Sequence, residues 1–395
     1  MGKKGSASPG PTNTFKYGMP LYGLAWPEGA TFFLCGGGGH GIKNRLVCAE
    51  AHRGVLTDQT AEYLFGTDCP TRLAVTPSGK SIVFAMGNGG IRRLDLDTRG
   101  KMPRFSEVTG SLEERLKSIT TDVKVMSFHP SGDYLALGGD DGSVVVGDRK
   151  LSDETIKDLD FVPWAGPGAA GQAGSRAAGN GKALMVILDN GSAAVVDLDR
   201  GGHVLCRAQL AKGMENANFS RVRCRTHEGE RATLVCLMNN RSGCHVGLWE
   251  LGDDGLLSMR AACKVADGPG ACMDASSDGV LVAVGTSEGD VALVGSRPHL
   301  RVIKRFPKAH MVFTTNIAFN HDASYVLSTS ADASATVNAT ALPPPPDFKR
   351  ILALLLIFVS LLLLILLQTV RVLKQRGMSL GEIYEMVGLR RRDEL

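Results

Sequence analysis

The residues whose types and spacing could do chemistry lie between Cys35 and Arg45. Gly36, Gly37, Gly38 and Gly39 run consecutively, His40 follows, and Gly41, Ile42, Lys43 and Asn44 complete the stretch. Three kinds of chemistry use such a run. A phosphate-binding loop uses glycines so that backbone N–H groups wrap an anion, with a lysine and a hydroxyl residue leading into a helix. A tight hairpin uses glycine for its positive φ. An open glycine run also exposes backbone carbonyls. With an Asn side-chain oxygen these are hard, neutral ligands of the kind alkali and alkaline-earth cations take.

The flanks narrow the choice. Residues 30–35, ATFFLC, and 45–50, RLVCAE, both read as strands, so residues 36–44 bridge two strands. Gly36 and Gly41 have the phosphate-loop spacing, but Ile42 separates Gly41 from Lys43 and Asn44 replaces the Mg-binding hydroxyl. A strand follows where a helix N-terminus should face the phosphate. A dinucleotide fold fails for the same reason. A hairpin needs two glycines, fewer than are present. On residue chemistry alone, a plain glycine-rich turn and a cation-binding loop aimed at another protein both stay open.

Other reactive residues form no constellation. The nine cysteines are scattered, without a Cys-x-x-Cys pair or a Cys/His cluster, so neither a structural zinc site nor a disulfide framework is expected. They read as free thiols in a reducing compartment. His129 and His310 sit where repeat turns fall and read as structural. No Ser/His/Asp or Cys/His set suggests covalent catalysis, so an activity of this chain would work by binding. The net charge of +4, from 44 basic and 40 acidic residues, gives no electrostatic case for nucleic acid.

The elements that must hold the loop are repeats. Apolar strand, Ser-Gly or Asp-Gly turn, second strand, Gly/Asp turn and third strand recur at residues 72–97, 123–148, 271–296 and 316–340, with looser copies at 183–199 and 232–251. Alternation is period two, as half-buried strands require. Gly79 to Gly132 is 53 residues and Gly279 to Ala323 is 44; propeller blades of four strands repeat at about 40–50 residues. The pattern predicts an all-β, about seven-bladed WD-repeat β-propeller, its usual Trp-Asp degraded to Leu-Asp, Gly-Asp or Trp249-Glu250. A strand near residues 21–25 is expected to close the ring against the last blade. Residues 165–182 read as a flexible Ala/Gly loop, and the charged stretch 111–122 as an exposed blade edge.

Boundaries follow. Residues 1–18 read as a disordered arm, 19–341 as the propeller, 342–350 as a Pro-rich linker, 351–370 as a transmembrane helix and 371–395 as a tail. Residues 351–370 carry no charge, and twenty helical residues span roughly 30 Å, the thickness of the hydrocarbon core. The N-terminus has no apolar signal-peptide core, so the propeller is expected in the cytosol and the tail in the lumen. Arg350 and Lys349 on one side and Arg371, Lys374 and Arg376 on the other pull against this orientation. The run Arg392, Asp393, Glu394 and Leu395 is similar to the lumenal KDEL-type retrieval signal and agrees with it.

GGGG followed by G-I-x-N in the first blade of a degenerate WD propeller, with one C-terminal apolar helix, resembles a known family. It is that of the endoplasmic-reticulum membrane guanine-nucleotide exchange factors for the Sar-family GTPase, whose mammalian member is prolactin regulatory element-binding protein. By architecture the likeness spans nearly the whole chain; by motif it rests on residues 36–44. The resemblance implies a potassium ion bound in the loop and a Sar-type GTPase whose GDP the loop helps expel to start COPII coats. It implies Asn44 as ion ligand and critical contact. It also implies the endoplasmic-reticulum membrane, and COPII coat or cargo proteins, as partners. His40 alone stands between the glycine run and Gly41, so the loop is shorter than the family pattern. A plant phosphate-transporter traffic facilitator has a similar architecture without exchange activity, so a membrane-anchored adaptor is the alternative function. The orientation is testable by appending an N-glycosylation acceptor after Leu395. The acceptor should be modified; an unmodified acceptor beside a working control site reverses the topology.

Overall fold

The computed structural model describes residues 13–39, 41–98, 103–144, 149–150, 154–162, 183–198, 202–210, 214, 216–226, 232–252, 256–341 and 348–377. The chain divides into two units, Met1–Ala341 and Leu342–Leu395.

In the first unit, strand and turn signals alternate so closely that each apolar run folds back on the one before it. Among the described residues the result is seven antiparallel sheets, the expected propeller. Their inner strands are Leu21–Ala25, Pro70–Val75, Val123–Phe128, Ile156–Val162, Asn218–Thr226, Gly270–Ala275 and Thr314–Phe319. Each contacts the next, and the seventh returns to the first. The core lies between blades: Phe33, Cys35, Leu46 and Cys48 of blade 1 pack on Ile82, Phe84 and Met86 of blade 2, for example. The Ser-Gly and Asp-Gly turns fall where the repeats place them, with Gly79, Gly132 and Gly279 at positive φ and Ala323 taking the same conformation in blade 7.

Ring closure differs from expectation. Leu21–Ala25 is the inner strand of blade 1, paired with Thr31–Gly36. The ring is closed by Thr14–Lys16, the outermost strand of blade 7, through Thr14↔Thr336, Phe15↔Ala335 and Lys16↔Ser334. The arm expected over residues 1–18 therefore contributes a strand, because the last blade supplies only three strands of its own and leaves an edge to be paired. The charged stretch after residue 110 also differs: Ser111–Lys117 is a helix, with Glu113 and Glu114 in its first turn, where acidic side chains favour the dipole. The Ala/Gly segment 165–182 lies outside the described residues.

Blades 4, 5 and 6 are joined by charges, of which Asp158 is buried and the others half-buried. Asp158 accepts from the Val222 N–H and the Arg223 guanidinium, and Asp160 and Asp274 both meet Arg225. Burial works against the charge of Arg223, but the three aspartates around it more than offset this and keep it protonated.

Among the described residues of the second unit there is one helix, Phe348–Gln375. It starts inside the expected linker and runs past residue 370. Its stretch Leu355–Gln375 is long and apolar enough to cross a membrane. Thr369 Oγ1 donates to the Ile365 carbonyl at 2.8 Å, satisfying its hydroxyl within the helix.

His310 is structural, as expected. It is buried between Ser334 Oγ, 2.7 Å from Nδ1, and Ser328 Oγ, 2.8 Å from Nε2. Burial pulls its pKa down to about 4, against a small opposing pull from Asp332. The unfolded chain takes up this proton near pH 6.5, the folded chain only near 4. Stability from this group is therefore complete above pH 6.5 and falls by about 3 kcal/mol as pH drops from there toward 4. Thermal midpoints of wild type and His310→Gln, taken from pH 7.5 to 4.5, should show a shallower pH slope in the variant. Equal slopes would remove His310 as the source.

Candidate functional site

The glycine loop stands out among its structural equivalents. In six blades the turn from second to third strand uses two to four residues, such as 241–242 in blade 5 and 87–90 in blade 2; blade 1 uses residues 37–43. The flanking strands are Thr31–Gly36 and Asn44–His52, within a residue or two of the sequence reading.

Backbone contact seats the base of the loop. Gly36 pairs with Leu21 on one side and Arg45 on the other. A Cβ at Gly36 would lie 1.9 Å from the Pro20 carbonyl oxygen, so only glycine allows this approach. The Gly37 N–H donates to that same carbonyl at 3.3 Å. A Cβ at Gly37 would lie 2.1 Å from Asn44 Oδ1. Two of the four glycines are thus demanded by packing.

Asn44 is the post of the loop. Its Oδ1 accepts from the Gly38 N–H at 3.2 Å and its Nδ2 donates to the Gly66 carbonyl at 3.0 Å. It is only 8% exposed. Next to it, Arg45 reaches Glu62 Oε2 at 2.7 Å, Gln59 Oε1 at 2.8 Å and the Tyr17 carbonyl at 2.6 Å. Cys35, which heads the motif, is buried; burial pushes its thiol pKa up, so it stays a neutral packing residue.

The tip is different. Gly39, Gly41, Ile42 and Lys43 are exposed. Gly41 has φ of +87°, and the Ile42 N–H closes the turn on the Gly39 carbonyl at 3.4 Å. Of the residues singled out from sequence, Gly36, Gly37 and Asn44 form a buried base and Gly38 is half-buried above it. Ile42 and Lys43 are the side chains a partner would meet. His40 and the run Arg392, Asp393, Glu394 and Leu395 lie outside the described residues. Sequence reasoning missed Pro20, Gly66 and Arg45. Pro20 and Gly66 act through backbone carbonyls, which leave no side-chain signature; a basic residue directly after Asn44 was the only signal for Arg45. Among the described residues no group of three or more His, Cys, Asp or Glu side chains could hold a metal ion.

The WD domain, G-beta repeat family matches residues 110–148, which span the helix and the first three strands of blade 3. SEC12-like protein 2 of Arabidopsis thaliana is 24% identical over 319 residues, 75% of this chain and 72% of that protein. Among solved structures, Sqt1 from Chaetomium thermophilum superposes with a TM-score of 0.59 at 13% identity, covering 82% of this chain and 97% of its own. The C-terminal WD40 domain of Sif2 does so with a TM-score of 0.56 at 13% identity, over 84% and 99%. The structural likenesses show the fold. The chain is a WD-repeat propeller, and its repeat match and its relative fit a SEC12-like WD-repeat protein.

Removing the post should loosen the loop. Asn44→Ala deletes two part-buried hydrogen bonds and should cost about 1–3 kcal/mol. Amide exchange at Gly38 should accelerate, with the inner strand of blade 5 unchanged as control. Unchanged protection at Gly38 would show that the loop keeps its shape without Asn44.

Proposed function

We propose that this chain is a guanine-nucleotide exchange factor for a Sar-type small GTPase at the endoplasmic-reticulum membrane, acting through the glycine loop of blade 1. The observation that carries the reading is the loop itself: the longest second-to-third-strand connection of the seven blades, rigid at its base and exposed at its tip. The likeness to a SEC12-like protein supports it, as does a helix apolar enough to anchor the chain.

Exchange requires no bond to be made in the protein. The loop has to bind the nucleotide-free GTPase more tightly than the GDP form, and release follows as a shift between states. Ile42 supplies an apolar contact and Lys43 a cation at the tip. Asn44, buried below, is a positioning residue that holds the tip through Gly38. A potassium ion fits the donor set, because the Asn44 amide oxygen and the glycine carbonyls are neutral oxygens. Gly37, lacking a Cβ, leaves the flank of Oδ1 open, and Oδ1 keeps a second lone pair beside the Gly38 N–H. Such an ion would stiffen the loop.

The second reading is a non-catalytic trafficking adaptor anchored to the same membrane. The loop's shortness against the family pattern and the burial of Asn44 favour it.

GDP release from a Sar-type GTPase decides between them, measured with the full chain in detergent micelles. Wild type should accelerate release, and Asn44→Ala should reduce the acceleration about tenfold, the equivalent of about 1.4 kcal/mol for the lost bond to Gly38 that holds the tip. Replacing potassium by choline should act in the same direction. No acceleration by wild type leaves the adaptor; full activity of Asn44→Ala moves the site elsewhere.

A further inference from the structure

The exposed apolar residues of the propeller are single among the described residues, with one exception. Ile42, Leu64, Tyr134, Val204 and Leu256 stand alone, whereas Met311, Val312 and Phe313 are consecutive and 81%, 41% and 48% exposed. Three adjacent large apolar side chains in water are costly without a use.

Their place in the fold suggests that use. Residues 307–313 connect the outer strand of blade 6, Arg301–Phe306, to the inner strand of blade 7. That strand runs beside the inner strand of blade 1, and Asn316 Nδ2 donates to the Tyr22 carbonyl at 2.6 Å, level with the start of both. Phe313 and Pro20, which precede these two strands, therefore sit on one rim. Pro20 is the residue on which Gly37 rests. Met311–Phe313 and the glycine loop thus share a face on neighbouring blades.

The segment is also rigid. The His310 N–H donates to the Gly289 carbonyl at 3.0 Å, and the His310 ring is held by two serines. The Met311 N–H donates to Asp332 Oδ2 at 2.9 Å, and Ser330 Oγ donates to the Phe313 carbonyl at 2.9 Å. Little ordering entropy remains to be lost when a partner arrives.

We infer that Met311, Val312 and Phe313 form a second docking point for the same small GTPase, an apolar anchor beside the glycine loop; this rests on the exchange reading above. The loop cannot be the whole interface. A specific complex covers about 800 Å² and about 20–30 residues on each side, and the loop offers four exposed described residues. A partner that grips Ile42 must extend across the face, and its desolvated centre needs large apolar side chains. An anionic membrane is a poor occupant. Asp332 lies at the base of the segment, and Glu288 and Asp290 flank Gly289, on which His310 rests. These three carboxylates outnumber the segment's exposed cation, Lys308, and would repel lipid phosphates.

The test measures GDP release from a Sar-type GTPase as a function of full-length chain concentration in detergent micelles. Met311→Ser with Phe313→Ser should raise the half-saturating concentration at least about tenfold, with the saturated rate within about twofold of wild type. Val312→Asp, a separate variant, should do the same. Asn44→Ala should show the opposite split, lowering the saturated rate. Thermal midpoints check that the surface variants are folded. If wild type is active and both surface variants saturate like it, the second docking point is overturned and the exchange reading stands. If wild type does not accelerate release, both fall. If the variants change only sedimentation of the chain, or only its flotation with anionic vesicles, the patch belongs to a second copy or to lipid, and the inference is overturned.

Discussion

The pairing of Thr14–Lys16 with Ser334–Ala339 is the contact on which the rest depends. A ring of blades holds only if its ends meet, and here the two ends of the propeller sequence share one sheet. The segment that follows does a second task. Tyr17 is buried, with its hydroxyl donating to the Thr57 carbonyl, and its own carbonyl accepts from Arg45. Pro20 then offers the carbonyl on which Gly37 rests. Closing the ring and seating the glycine loop are one structural event, spread over residues 14–20.

That coupling explains the division of labour inside the loop. Its base is buried and hydrogen-bonded to three separate stretches: the closing segment, the turn at Gly66 and the strand from Asn44. Its tip is exposed and presents the Ile42 and Lys43 side chains. A rigid base with an exposed tip suits the exchange role proposed for the loop, which needs it to keep its shape on contact. Met311–Phe313, held by the His310, Asp332 and Ser330 contacts of blade 7, is built on the same principle. Both features lie on blades joined by ring closure, so the docking surface proposed above is also the seam of the fold.

The degenerate repeats have physical substitutes for the missing Trp-Asp. Trp249 keeps the aromatic position in blade 5, fully buried with its indole N–H on the Gln209 carbonyl. In blade 7, His310 is tied by serines. Between blades 4, 5 and 6, paired aspartates and arginines tie the inner strands together. Removing Arg223, the partner of buried Asp158, costs more than the pair contributes, because a buried charge loses its compensation. These ties make the inner ring specific where the repeat signature is weak.

Much of this was legible in the residue order. Period-two alternation and Ser-Gly turns are local, so the strands, the blade count and the strands flanking the loop follow from residues 72–97 and their copies. Twenty uncharged residues determine a membrane-length helix in the same local way. Three features needed the tertiary structure. The partner of Thr14–Lys16 is some 320 residues away, and three residues carry too little pattern to announce a strand. The partners of Asn44 are backbone groups of Gly38 and Gly66, which leave no side-chain signature in the sequence. That Met311–Phe313 faces water beside the glycine loop, while similar apolar runs fill the core, was decided by where ring closure put the seam.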